Sequence, residues 1–255
     1  MTPKLPFDVV IPARFASARF PAKLLADICG KTMIQRVVEC AMSSSAEKVI
    51  VAVDDERIAD NVRFTTSATV IATAKDHASG TDRIAEAVQK MQLPGERMIV
   101  NVQGDEPLMP GELIDQVAAV LQTDSQAVIG TAAVPINLDT HGNDPNRVKC
   151  IIDRHNRAIY FSRSVIPYRT NTNQENVRMG LHHIGIYAYT VDYLVHKHAS
   201  RDVCALEKAE GLEQLRALYH GDTIAVHIDE NYRGIGVDTQ DDLDLVRSII
   251  ETARL

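Results

Sequence analysis

The chain has no tryptophan, only four cysteines and no surplus of basic residues. Each absence removes a class of function. Cys29, Cys40, Cys150 and Cys204 form no C-x-x-C pair and have no zinc-finger spacing, so neither a zinc framework nor a dithiol motif is encoded. A globular chain of 255 residues buries roughly 70–75% of the surface exposed on unfolding and needs no disulfide staples. The four cysteines therefore read as free thiols in a reducing compartment. No stretch approaches the ~20 apolar residues of a membrane span. Val9-Val10-Ile11 is broken by Pro12, so no signal peptide is expected and the protein is placed in the cytoplasm. Lys plus Arg number 27 against 34 Asp plus Glu, a net charge of −7. A duplex-binding protein carries the opposite balance, so nucleic acid is not an expected partner. Neither G-x-G-x-x-G nor G-x-x-x-x-G-K-[ST] occurs, which argues against an NAD-linked dehydrogenase and a P-loop kinase together.

What is present is alternation. Apolar, β-branched runs at Phe7–Ala13, Lys48–Val53, Thr69–Ala72, Met98–Val102 and Ala127–Val134 read as strands. Helical spacing fills Thr32–Ser44, Glu56–Phe64, the segment capped by Thr81, and Gly111–Leu121. Strand and helix alternating in this way predict an α/β fold with a mainly parallel sheet. The pattern changes after about residue 135. Val148–Ile152 and Ala158–Phe161 flank the polar turn Asp153-Arg154-His155-Asn156 and read as a hairpin. Arg169–Met179 reads as a long polar loop, expected to order on ligand binding. His183–Tyr189 reads as a strand, Leu206–Tyr219 as one helix, Thr223–Ile228 as a strand and Thr239–Glu251 as a final helix.

Loops after the carboxyl ends of parallel strands are the usual ligand site in open α/β sheets. The first such loop carries Arg14, Arg19 and Lys23. Cations so clustered suit phosphate oxygens, or form a plain solvated basic loop. The fourth strand runs into Gln103-Gly104-Asp105-Glu106-Pro107, where carboxylates at a strand end could hold a hard cation or make an ordinary acidic turn. Asp238 precedes the last helix, where its spacing favours helix capping over metal binding. His77-Ala78-Ser79-Gly80-Thr81-Asp82-Arg83 marks a helix start that favours an anion, or a simple cap. Arg163 follows a strand and could meet a substrate carboxylate or a surface acid. His182 and His183 face opposite ways if they lie in a strand, so they do not chelate.

In order, the motifs are I-P-A-R-x-x-S-x-R-x-P-x-K at Ile11–Lys23, S-G-T-D-R at Ser79–Arg83, N-V-Q-G-D-E-P at Asn101–Pro107 and Y-F-S-R at Tyr160–Arg163. H-I-G-I-Y at His183–Tyr187, L-E-Q-L-R at Leu212–Arg216 and G-V-D-T at Gly236–Thr239 complete the set. Together they resemble the CMP-Kdo synthetases, the 3-deoxy-manno-octulosonate (Kdo) cytidylyltransferases of lipopolysaccharide synthesis. The resemblance covers the chain from Val9 to about Val246. It implies a nucleotide-diphospho-sugar transferase fold (Rossmann-like, glycosyltransferase-A-type) as a single domain over 1–255. A smaller sugar-binding and dimerisation lobe would be inserted at about 135–200, giving a homodimer.

The implied reaction joins CTP and Kdo into CMP-Kdo and pyrophosphate. By the same resemblance Asp105 and Asp238 hold Mg²⁺, Arg14 and Lys23 neutralise the triphosphate, and Ala13, Ser79, Gly80 and Gln103 line the cytidine pocket. Arg163, His183, Tyr187, Glu213 and Gln214 surround the sugar acid. His183 carries no role as general base in this reading. Two other readings compete: the same chemistry on the 8-amino analogue of Kdo, and a module that binds a sugar nucleotide without turning it over. The chain departs from the family pattern in three places. Ala22 stands where the first loop usually has glycine, the segment before the L-E-Q-L-R helix reads Val203-Cys204-Ala205-Leu206-Glu207 where a proline and a small hydroxyl residue are common, and Tyr168 stands where a tryptophan is common.

Overall fold

The computed structural model describes residues 6–16, 20–168, 170 and 179–253. The first half builds as its periodicity predicts: β1 (Phe7–Ala13), a short β2–β3 ribbon (Asp27–Ile28, Lys31–Thr32), α1 (Met33–Met42), β4 (Lys48–Val53), α2 (Glu56–Thr65) and β5 (Thr69–Ala72). Next come α3 (Gly80–Lys90), β6 (Met98–Asn101), α4 (Gly111–Thr123) and β7 (Ala127–Asn137). The second half contains α5 (Leu138–His141), β8 (Lys149–Ile152), β9 (Ala158–Ser162), β10 (Met179–Thr190) and α6 (Val191–Tyr193). It ends with α7 (Ala205–Glu210), α8 (Leu215–Tyr219), β11 (Thr223–Ile228) and α9 (Gln240–Ala253).

The main sheet runs β11-β7-β10-β6-β1-β4-β5. The β1–β4, β1–β6, β4–β5 and β7–β11 pairs are parallel, and β10 lies antiparallel between β6 and β7. The predicted hairpin is β8–β9, and it hangs from the start of β10 through Leu181 and His182. Residues 135–200 thus supply this hairpin together with β10, which joins the central sheet.

Strand alternation divides the core in two. Val9 and Ile11 of β1, with Val51 and Val100, meet Ile34, Val37 and Val38 of α1 and Leu113 and Val117 of α4 on one face. Val10, Ile50 and Ile99 meet Ile84, Ala87 and Val88 of α3 on the other. Strands buried on both faces read as continuous apolar runs, which is why the parallel strands were legible. No disulfide joins the four cysteines. Among the described residues no helix is long and apolar enough to cross a membrane.

Two local expectations are corrected. The cap of α3 is Ser79, not Thr81. The Ser79 hydroxyl accepts from Asp82 N at 3.1 Å, and the Asp82 carboxylate accepts from Ser79 N at 3.2 Å, a reciprocal pair that satisfies two orphan donors. The single helix predicted over Leu206–Tyr219 is broken into α7 and α8, because Gly211 adopts φ +62° and ends the first of them. The expected loop Arg169–Met179 lies almost wholly outside the described residues.

Candidate active site

The site forms where β1 and β6 end. Beyond β1 the backbone N–H of Phe15 donates to Asp54 Oδ1 at 2.8 Å, and Arg83 donates to the other oxygen of the same carboxylate at 3.1 Å. The Arg57 guanidinium lies 3.5 Å from the centroid of the Phe15 ring, a cation–π contact. This clamp leaves Arg14 exposed, with no hydrogen bond or ion pair among the described residues. Arg19 lies outside the described residues.

Ala22 then enters the left-handed region, φ 54° and ψ 24°, and leads into a 3₁₀ turn over Lys23–Leu25. Ala22 is held there without the freedom of the glycine the family usually has. The turn buries Lys23. Its ammonium donates to Asp105 Oδ2 at 2.7 Å and to Asp238 Oδ1 at 3.1 Å.

Asp105 lies just beyond β6, where Gly104 passes so close to β1 that a Cβ would sit 3.0 Å from the Pro12 carbonyl oxygen. The Asp105 carbonyl accepts from Val237 N at 2.9 Å, which ties the late segment carrying Asp238 to the end of β6. The capping role that spacing favoured for Asp238 belongs to Thr239. The Thr239 hydroxyl accepts from Asp242 N at 3.2 Å, and Asp242 Oδ2 accepts from Asp238 N and Thr239 N at 3.0 and 2.8 Å. The Asp238 carboxylate is turned to Lys23 instead.

Behind Asp105, the Tyr232 hydroxyl donates to Glu106 Oε2 at 3.1 Å. Burial, with the neighbouring Asp105 charge adding to it, pushes the Glu106 carboxyl up to about 7. Sequence reading gave Tyr232 no role, and no motif around it signals one.

Two carboxylates converging on one ammonium mark a position built for positive charge. Among the described residues no group of three or more His, Cys, Asp or Glu side chains surrounds a single point. A divalent cation here would therefore take two carboxylates and complete its shell from phosphate oxygens and water, the usual Mg²⁺ arrangement.

Arg14, Lys23, Ser79, Gly80, Gln103, Asp105 and Asp238 line one cavity of about 300 Å³. Its wall includes the start of α3, where uncapped backbone N–H groups favour an anion. A Cβ on Gly80 would press to 3.3 Å from Pro12, so the helix start packs directly on β1. Ala13 is fully buried and lies behind this wall rather than in it.

A second cavity of about 260 Å³ shares Gly80 and Gln103 with the first and adds Tyr187, Glu213 and Gln214. His183, Tyr187 and Gln214 face a third, which reaches back to Asp238. The left-handed Gly211 turns Glu213 and Gln214 inward. His183 is buried, its Nε2 is 3.0 Å from the Thr131 hydroxyl, and its ring meets the Phe161 ring edge-on at 4.7 Å between centroids. Burial holds its imidazole down to about 3, so it is a neutral structural hydrogen-bonder.

Arg163 does not line these three cavities. It donates to the carbonyls of Glu210, Pro145 and Gly211 at 2.7, 2.8 and 3.3 Å, holding the turn that presents Glu213 and Gln214.

The family model for cytidylyltransferases matches residues 9–224. The chain belongs to the cytidylyltransferase family. A 3-deoxy-manno-octulosonate cytidylyltransferase of Polynucleobacter necessarius is 46% identical over 247 residues, covering 96% of this chain and 95% of that relative. One of Psychromonas ingrahamii is also 46% identical, covering 94% of this chain and 97% of that relative. A solved CMP:2-keto-3-deoxy-manno-octonic acid synthetase in complex with CTP superposes with a TM-score of 0.90 at 34% identity, over 98% of this chain and 100% of that one. A cytidylyltransferase structure from Leptospira borgpetersenii shares the fold at a TM-score of 0.62 and 16% identity, over 97% of this chain and 87% of that one. These relatives bear out the resemblance drawn from the motifs. The mixed α/β fold is thus the nucleotide-sugar transferase fold.

Proposed function

We propose that this chain transfers CMP from CTP to the anomeric hydroxyl of Kdo, giving CMP-Kdo and pyrophosphate for lipopolysaccharide synthesis. One observation carries the reading: Asp105 and Asp238 converge beside a cation-lined cavity that opens onto a second, polyhydroxyl-sized one. The anomeric oxygen forms a bond to the α-phosphorus and gives up its proton to solvent water. The bond from that phosphorus to the β-phosphate oxygen breaks, and pyrophosphate leaves with that electron pair. Such transfers depend on positioning and charge neutralisation.

Arg14, unpaired among the described residues, takes the triphosphate, and Lys23 follows charge onto the leaving pyrophosphate. Gly80 offers a helix-start N–H and Ser79 lines the same cavity, while Gln103 lies between the nucleotide and sugar cavities. Tyr187, Glu213 and Gln214 receive the sugar hydroxyls, and Arg163 supports them through its turn. Asp105 and Asp238 would hold Mg²⁺, which supplies charge neutralisation at the α-phosphate and acidifies the attacking hydroxyl. His183 stays neutral and takes no proton. The enzyme works in the cytoplasm as a homodimer, with residues 135–200 at the dimer contact.

Pyrophosphate release with CTP and Mg²⁺ tests the reading, comparing Kdo with its 8-amino analogue. Release that depends on Kdo, is weaker with the analogue and stops on chelation is the expected result. Intact CTP binding with no release from either sugar overturns it.

A further inference from the structure

Three buried side-chain polar atoms lack a hydrogen-bond partner among the described residues: the Tyr189 hydroxyl, His198 Nδ1 and Gln214 Nε2. All three residues line the one cavity of about 260 Å³ that Tyr187 and Glu213 also line. A buried polar group without a partner costs free energy that a ligand can return. The cavity is therefore furnished for a ligand with several hydroxyls. Tyr189 lies near Asn101 and Thr81 but meets neither in hydrogen-bond geometry.

His198 has no place in any motif of the sequence. It ends a π-helical turn, Leu194–His198, in which Ala199 N donates to Leu194 O at 2.9 Å. Such a turn holds one residue more than an α-helical turn, which rotates the next residues by about 100°. Here it puts the imidazole into the interior, with His198 only 5% exposed. Three contacts fix it. Arg216 donates to the His198 carbonyl at 3.2 Å and is itself held by Glu207 at 2.8 and 2.6 Å. The Tyr193 ring lies alongside, 6.2 Å between centroids. Nε2 is 3.0 Å from Glu213 Oε1.

Glu213 needs such a partner. Burial pushes its carboxyl up, but the His198 hydrogen bond, with help from Thr81 and the Arg216 charge, more than offsets that and leaves it below its usual range. One carboxylate oxygen is thereby engaged by a rigid ring, and the carboxylate plane is set.

We infer that His198 is a positioning residue of the sugar subsite: presented by the π turn, it fixes the Glu213 carboxylate in the orientation that meets a sugar hydroxyl. This rests on the sugar role proposed for Glu213. His198 acts only through that carboxylate and leaves the nucleotide cavity untouched, since it does not line it.

The test is a split between Michaelis constants. His198→Phe removes the bond, and His198→Asn does so with a shorter amide that cannot reach Glu213. His198→Gln keeps a donor near the position of Nε2. Loss of a hydrogen bond to a charged group should raise the KM for Kdo about tenfold or more in His198→Phe and His198→Asn, with the KM for CTP changed by less than about twofold. His198→Gln should recover most of that loss. His198→Phe combined with Glu213→Gln should be no worse than Glu213→Gln alone. Calorimetric CTP binding reports that each variant is folded, and His198→Asn carries the test if His198→Phe is not. An unchanged sugar KM in the folded variants, equal rises for both substrates, or additive losses in the double variant overturn the inference alone. An unchanged sugar KM in Glu213→Gln overturns the sugar reading of that residue, and the inference with it.

Discussion

The Lys23 ammonium bridges Asp105 and Asp238, at 2.7 and 3.1 Å. The first carboxylate comes from the loop just after β6 and the second from the segment just before α9, so three segments far apart in sequence meet at one ammonium. Removing either carboxylate while keeping its shape removes charge at the point where charge must be balanced. Asp105→Asn should lower turnover by at least ~10²-fold, the cost of deleting one charge-stabilising group, while CTP still binds. Single-turnover assays decide it, and near-normal turnover would take Asp105 out of the mechanism.

Ala22 occupies the left-handed region at φ 54°, where glycine is at no disadvantage. Replacing Ala22 by glycine relieves the clash of the Cβ but frees the unfolded chain. Relief should win, for a gain of about 0.5–1 kcal/mol. Thermal unfolding should show a midpoint a few degrees higher. A lower midpoint would mean the turn holds no strain at Ala22.

Cys204 caps α7, its sulfur accepting from Glu207 N at 3.4 Å. Sulfur is a weak acceptor and serine is a preferred cap. Cys204→Ser should raise the denaturant midpoint, by about 0.5–1 kcal/mol of stability. A fall would show that burial of the sulfur outweighs the cap.

Glu106 sits at about 7, well above its ordinary 4.5. A carboxyl raised on folding favours the folded state while it is protonated. Its stabilisation is complete below about pH 4.5 and is lost as pH rises through 7. The loss is on the order of 3 kcal/mol. Glu106→Gln keeps an acceptor for Tyr232 and cannot ionise. With chelator present, unfolding midpoints of the two proteins should diverge between pH 4.5 and 7, with the parent falling relative to the variant. Parallel curves would place Glu106 outside this role.

Much of the architecture was legible in the sequence, and for a physical reason. Lys48–Val53 coincides with β4 because a strand covered on both faces reads as a continuous apolar run, and Thr69–Ala72 and Thr223–Ile228 coincide with the edge strands β5 and β11 because they are rich in β-branched residues. The chain lengths between such strands leave room only for helices. Asp105 and Lys23 were legible as charged groups in loops at strand ends. Their pairing was not, because local spacing says nothing about which loops meet. Gly211 breaks a helix whose leucine spacing runs straight through it, a backbone decision taken by one φ angle. Arg163 was legible as a cation beside the site, but the carbonyls that occupy it come from segments far along the chain. Tyr232 and His198 were invisible because each acts by reaching a half-buried carboxylate from a segment without local pattern.

The antiparallel β10 also sets the order in which the sheet can be completed during synthesis. Until residue 190 has left the ribosome, β6 has an open edge on the side away from β1, and β7 has no neighbour on either side. An open edge of this kind pairs readily with another chain. The nascent protein therefore passes through a stage in which its N-terminal half is formed and still adhesive. One late strand closes the β6 edge by joining β6 to β7, and β11 later covers the other side of β7.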